Sequence, residues 1–216
     1  MKIIELELLS DDLKGTEKFY KEVLGLHPYS AEPGLLTFSV GYTKLIFRKS
    51  NNLKPVYHFA IDLPGNRFFD SHNSIKSHTE VLPVEPGNDI ANFTAWDAKS
   101  FYFLDNNGNI IEFITRYPNR AYDPEPFSSK SFICVSEIGM VTKNVPELAD
   151  KFVTEFGLPI FKRQPRSDTF TVVGDDEGLL IIGEKGRDWY PTKITSLSFR
   201  TRVLFMDKGC VWHILR

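Results

Sequence analysis

Glu112 is the one carboxylate in an otherwise apolar run at the end of FYFLDNNGNIIEFITR, residues Phe101–Arg116. Period-two alternation puts Ile110, Glu112 and Ile114 on one face and Ile111, Phe113 and Thr115 on the other. A carboxylate in such company must be wet, paired or bound to a metal. Three other places carry comparable chemistry. His58 shares a strand face with Ala60 and Asp62 in YHFAID. Glu5 and Glu7 share a face of the opening run KIIELELL, and Tyr102 lies in the strand before the Asn-rich turn. Taken singly, each has an ordinary reading. A strand glutamate usually faces solvent, a histidine is usually a satisfied polar residue, and a loop aromatic such as Phe93 or Trp96 usually packs. Arg48 and Asp62 read as salt-bridge or surface residues before substrate contacts.

What these residues can do depends on the elements that carry them. Ile3–Leu9 alternates as a strand. Ser10, Asp11 and Asp12 then offer capping oxygens to a helix whose apolar stripe is Leu13, Thr16, Phe19, Tyr20, Val23 and Leu24, closed by Gly25. Leu35–Val40 and Thr43–Lys49 read as strands, with room for another near His27–Glu32. A second unit repeats this order: a strand at Tyr57–Leu63, a weaker helix at Asn66–His78, and strands at Val81–Val84, Ser100–Leu104 and Asn109–Thr115. Asp105–Asn109 is dense turn chemistry between the last two. Residues 117–131, rich in Pro, Ser and charge, read as a linker. EIGMVTKNVPELADKFVTEFGL, from Glu137, then overlays ELELLSDDLKGTEKFYKEVLGL, from Glu5, as a third copy. Thr169–Val173 and Gly178–Gly183 supply its later strands. Beyond Tyr190 only strand-like pieces remain, at Ile194–Arg200, Arg202–Met206 and Cys210–Leu215. The expected organisation is one domain of two modules over residues 1–116 and a second, degenerate domain over 132–216.

Composition bounds the function. The 216 residues are 42% hydrophobic and 25% charged, as in an ordinary globular protein, and the formal net charge of −2 offers no field for nucleic acid or an anionic membrane. Two cysteines, Cys134 and Cys210, make neither a metal motif nor a disulfide framework. MKIIELELLSDD places acids inside its apolar stretch, unlike a signal peptide, and no apolar run is long enough to span a bilayer. The expectation is a cytoplasmic protein.

Three stretches together resemble the vicinal oxygen chelate superfamily of glyoxalases, bleomycin- and fosfomycin-resistance proteins and extradiol dioxygenases. They are FYKEVLGL at Phe19–Leu26, YHFAID at Tyr57–Asp62, and FYFLDNNGNIIEF at Phe101–Phe113. The resemblance implies an α+β fold of repeated βαβββ modules. These would form curved, open mixed sheets with helices on the convex side and a metal in the concave cavity. Carried over by position, it implies Glu5, His58 and Glu112 as ligands of a divalent metal (Fe, Mn, Zn or Ni), with no acid from Lys44–Arg48 to make a fourth. Glu137 repeats Glu5, but no His and Glu partners for it are found in the second half. That half is read as structural, closing the cavity or making a homodimer interface.

One imidazole and two carboxylates make a facial site with open positions for two substrate oxygens. Proton transfer would need a further base, for which Glu7 and Tyr102 are the candidates. The implied function is a metalloenzyme of dioxygenase, lyase or isomerase type acting on a small oxygen-rich substrate. The alternative is a metal-free protein that sequesters a small molecule in the same cavity.

Overall fold

A computed structural model describes residues 1–216. The first module is β1 (Lys2–Ser10), α1 (Leu13–Glu22), β2 (Ser30–Glu32), β3 (Leu35–Val40) and β4 (Thr43–Lys49). The second is β5 (His58–Asp62), α2 (Phe68–Lys76), β6 (Val81–Leu82), β7 (Ala91–Phe93), β8 (Ala98–Leu104) and β9 (Ile110–Arg116). The third is β10 (Cys134–Thr142), α3 (Val145–Phe156), β11 (Phe170–Asp175) and β12 (Gly178–Glu184). A hairpin of β13 (Arg202–Asp207) and β14 (Cys210–Leu215) ends the chain without a helix of its own. Ile194–Arg200, expected as strand, is not one.

Local chemistry sets the helix ends. The Asp12 side chain accepts from the Gly15 N–H at 3.0 Å, and Asn144 accepts from Glu147 at 3.2 Å, each satisfying an amide that the first turn leaves unpaired. Gly157 ends α3 at φ +67°, a conformation that costs glycine nothing.

The strands form two open mixed sheets, ordered β14-β13-β1-β4-β3-β2 and β11-β12-β10-β5-β9-β8-β6, with β7 added beside β8. Their composition does not follow the expected division at residues 117–131. The first module pairs with the terminal hairpin through antiparallel β1 and β13, and the second pairs with the third through antiparallel β5 and β10. Each opening strand also lies parallel to the closing strand of its own module: β1 beside β4, β5 beside β9, β10 beside β12. Residues 117–131 pack against the turn before α2, where Asn66 Nδ2 and Arg67 Nε donate to the Asp123 carbonyl at 2.7 and 3.1 Å.

Alternation separates the sheet faces as the sequence predicts. Phe59, Phe101, Phe103, Ile111 and Phe113 turn to the helix side, where Phe68 of α2 stacks edge-on against Phe101 at 5.6 Å. Tyr20 of α1 packs on Phe38 and Phe47 of β3 and β4 at 5.1 and 5.0 Å. Leu6, Phe47, Phe59, Phe113, Leu180 and Phe205 all belong to one continuous buried cluster, so the two sheets share a core. At their junction the β3–β4 turn touches residue 133: Tyr42 donates to the Ile133 carbonyl at 3.2 Å. Gly41 there has φ +54°, and a Cβ on it would lie 1.9 Å from the same oxygen. Gly41→Ala is expected to lower stability by at least about 1 kcal/mol in urea unfolding, because it adds both a clash and backbone strain.

Candidate metal centre

The concave face of the larger sheet brings three ionisable side chains to one point. Register explains how. Ala60 of β5 is flanked by Glu112 of β9 on one side and Glu137 of β10 on the other, and His58 lies two residues before Ala60 on the same face. The methyl side chain between them leaves room for the two carboxylates to lean together. A β-bulge between Val135 and Glu137 sets the second carboxylate in register. One donor atom from each of His58, Glu112 and Glu137 lies within 4.8 Å of the other two, and the residues are only 7%, 3% and 3% exposed.

Each donor has a second contact that orients it. His58 Nδ1 lies 3.2 Å from the Ile110 carbonyl, which can only accept, so Nδ1 carries the proton and Nε2 presents its lone pair to Glu112 Oε2 at 3.5 Å. Tyr102 Oη donates to Glu112 Oε1 at 3.0 Å and receives a hydrogen bond from Ser100 at 3.1 Å. Arg116, fully buried, donates to Glu137 Oε1, to Ser136 Oγ at 3.1 Å and to Asp62 Oδ1 at 3.3 Å.

Burial dominates the electrostatics. It lowers the His58 pKa, keeping the imidazole neutral, and raises that of Glu112. Burial, and then the nearby charge of Glu112, push Glu137 up to about 7 against the pull of Arg116. With both carboxylates ionised, they and the neutral imidazole lone pair all accept, and none of them supplies what lies between. A divalent cation satisfies all three at once, and this N/O donor set suits Mn²⁺, Fe²⁺, Zn²⁺ or Ni²⁺. The residues therefore fit a metal.

The expected ligand set is corrected at one position. His58 and Glu112 come together, but Glu5 lies on the other sheet, where Lys44 meets it at 3.1 Å and Arg202 also pairs with it. Glu137, the residue that repeats Glu5 in the third module, stands with His58 and Glu112 instead. The partners of Glu137 come from outside its own half of the chain, because β10 pairs with β5 of the second module. The same register locates the missing fourth donor. Glu112 faces the residue two after His58, and Ile181 faces Gly139, two after Glu137. An isoleucine thus occupies the position equivalent to Glu112.

The expected proton-transfer residues also divide. Tyr102 is at the site, but burial and the charge of Glu112 raise its pKa, making it a hydrogen-bond donor that holds Glu112 rather than a base. Glu7 is on the other sheet, bound by Arg48 Nε and Nη2 at 3.1 Å each, by Arg200 and by Arg202 at 3.2 Å. Burial alone would raise its pKa; the arginine hydrogen bonds and charges prevail and hold it at about 2.

A cavity of about 190 Å³ opens over the three donors. Phe93 and Trp96 line it from the β7 region, a short strand where the sequence predicts loop, together with Trp189 and Tyr190. The last two come from a strap at residues 184–196, closed by hydrogen bonds from Ser196 to the Arg187 carbonyl at 2.7 Å and from Trp189 to the Ile194 carbonyl at 2.9 Å. Trp189 is seated on Gly139, where a Cβ would come within 2.7 Å of its ring.

Two substitutions check the electrostatics. Arg116→Met strands Asp62 and Glu137 without their cation and is expected to destabilise by about 3–5 kcal/mol in denaturant titration. Glu7 has a depressed folded-state pKa, so it contributes stability above its ordinary value of 4.5 that is lost as pH falls towards about 2. Glu7→Gln should therefore flatten that part of the acid-unfolding profile relative to the parent protein.

The sequence matches no protein-family model, and no curated protein matches it by sequence. Solved structures do match. A dioxygenase candidate from Bacillus subtilis superposes with a TM-score of 0.60 at 14% identity, over 85% of this chain and 63% of that one, so the present chain spans less than two thirds of its length. Two variants of glyoxalase I from Zea mays superpose with TM-scores of 0.54 and 0.55, each at 16% identity over 90% of this chain and 70% and 71% of theirs. The chain therefore has the fold of these structures, an α+β arrangement of open mixed sheets built from repeated modules.

Proposed function

We propose that this protein is a metal-dependent enzyme that binds two adjacent oxygens of a small molecule, with His58, Glu112 and Glu137 holding a divalent cation. The observation that carries this is the convergence of three buried, individually oriented donors beneath an aromatic-lined cavity. The names of the neighbours, a dioxygenase candidate and glyoxalase I, bracket the chemistry: a dioxygenase, lyase or isomerase reaction. When bound, the cation would act as a Lewis acid that polarises the substrate oxygens.

The chain's own residues prepare the site. Ile110 fixes the His58 tautomer, Tyr102 and Arg116 each occupy one carboxylate oxygen, and the remaining donors face the cavity. Ile181 withholds a fourth protein ligand, which leaves positions for substrate. Trp189 and Tyr190 limit water above the donors. Tyr102, kept protonated, can hand its hydrogen bond between Glu112 and a bound oxygen. Glu5 and Glu7 have no part in this reading.

Chelator-treated protein is expected to take up one equivalent of Mn²⁺, Fe²⁺, Zn²⁺ or Ni²⁺ in a metal titration followed by elemental analysis. His58→Ala and Glu137→Gln should each weaken uptake by at least about tenfold, the lower end of what even supporting residues contribute, whereas Glu5→Gln should bind as the parent does. No uptake by folded protein, with small-molecule binding retained, would leave the metal-free sequestration reading in its place.

A further inference from the structure

Of the side chains lining the cavity, only Arg187 is a cation. It is also free of any carboxylate: no acid lies within 4.0 Å of its guanidinium, in contrast to Arg163, Arg116 and the arginines around Glu7. Its position is nevertheless fixed. The guanidinium lies over the Phe170 ring at 4.7 Å, Nη1 donates to the Thr169 carbonyl at 3.3 Å, and its backbone is locked into the strap by Ser196. Stacking and one carbonyl use part of a five-donor fork. The remaining N–H groups have no protein acceptor.

The rest of the wall is aromatic. Trp189 lies 5.3 Å from the His58 ring, Tyr190 packs edge-on to Tyr102 at 5.5 Å, and Phe93 and Trp96 face them. Such walls favour a flat apolar body, and the small volume excludes a drug-sized molecule. A fixed, uncompensated guanidinium at the edge of a flat aromatic cavity is suited to bidentate recognition of a carboxylate.

We infer that Arg187 selects a small planar carboxylate: a ligand whose flat body lies between the strap and the sheet, and whose carboxylate is held by the guanidinium away from His58, Glu112 and Glu137. This rests on the cavity being the small-molecule site proposed above, but it does not depend on the metal. The segment between β12 and β13 thereby sets specificity, in the place where the terminal hairpin lacks a helix.

Benzoate and its neutral isostere benzamide separate the two ideas. Their binding can be followed by quenching of tryptophan fluorescence from Trp96 and Trp189, in both metal-free and Mn²⁺-loaded protein. Benzoate is expected to bind at least about tenfold more tightly than benzamide, the scale of a hydrogen bond to a charged group. Arg187→Met should abolish that preference while benzamide still binds, which shows that the cavity is intact, and Arg187→Lys should restore part of it. Glu137→Gln should keep the preference even where metal uptake is lost, so failure of the metal reading is seen separately. Equal binding of the two probes by the parent protein, or a preference that survives in Arg187→Met, would overturn the assignment.

Discussion

Two carboxylates, Glu112 and Glu137, are held in a dry interior on strands flanking Ala60, and much of the larger sheet is arranged around that constraint. Like charges this close cannot both be left ionised without compensation. Arg116 supplies part of it and is itself shared with Asp62, so the concave face carries a chain of buried charge from Asp62 through Arg116 to Glu137. His58 supplies none, because its Nδ1 proton is committed to Ile110. The deficit that remains is what a bound cation would offset. The small residues nearby follow from the same need. Ala60 makes room for the carboxylates, and Gly139 makes room for the indole that roofs them.

The smaller sheet solves the corresponding problem differently. Glu7 lies two residues after Glu5 and faces Ile46 in the parallel strand, in the register that joins Gly139 to Ile181. Here the carboxylates are met by arginines from β4, β13 and the segment before β13. Lys44 and Arg202 remain partly in solvent, so their ion pairs with Glu5 are weak individually. Glu7 is buried and multiply bound, and its contacts join the first module to the terminal hairpin. Tyr57 reinforces that join from the other sheet, donating to the Arg200 carbonyl at 2.8 Å while accepting from the Leu9 amide at 3.2 Å. One module thus ties its acids to cationic side chains, while the larger sheet leaves Glu112 and Glu137 facing a cavity.

The terminal segment does more than complete the smaller sheet. Without a helix of its own, the chain after β12 is free to fold over the concave face. Its strap brings Arg187, Trp189 and Tyr190 to the cavity, and only then does the hairpin enter the smaller sheet. The enclosure of the donors and the completion of the second sheet therefore come from one continuous stretch of chain.

Much of this was legible in the sequence, for local reasons. Alternation of apolar residues fixed the strands and their faces, Asp12 and Asn144 marked helix starts, and the repeat from Glu5 to Glu137 revealed modular organisation. These signals act over a few residues, within reach of backbone geometry and side-chain burial. His58 and Glu112 were legible as a pair because β5 and β9 belong to one module and their motifs are intact. The third donor was not. Glu5 and Glu137 are equivalent by repeat, and nothing in either strand says which will stand beside β5. That choice is made by the antiparallel edge to which β5 binds, a contact between modules separated by a 15-residue connector whose own composition suggested a boundary. The sequence by itself determined which residues could be ligands and which face each would use. Only the tertiary structure decided which sheet each strand would join, because strand pairing is a long-range choice settled by the shared core rather than by any one strand's pattern.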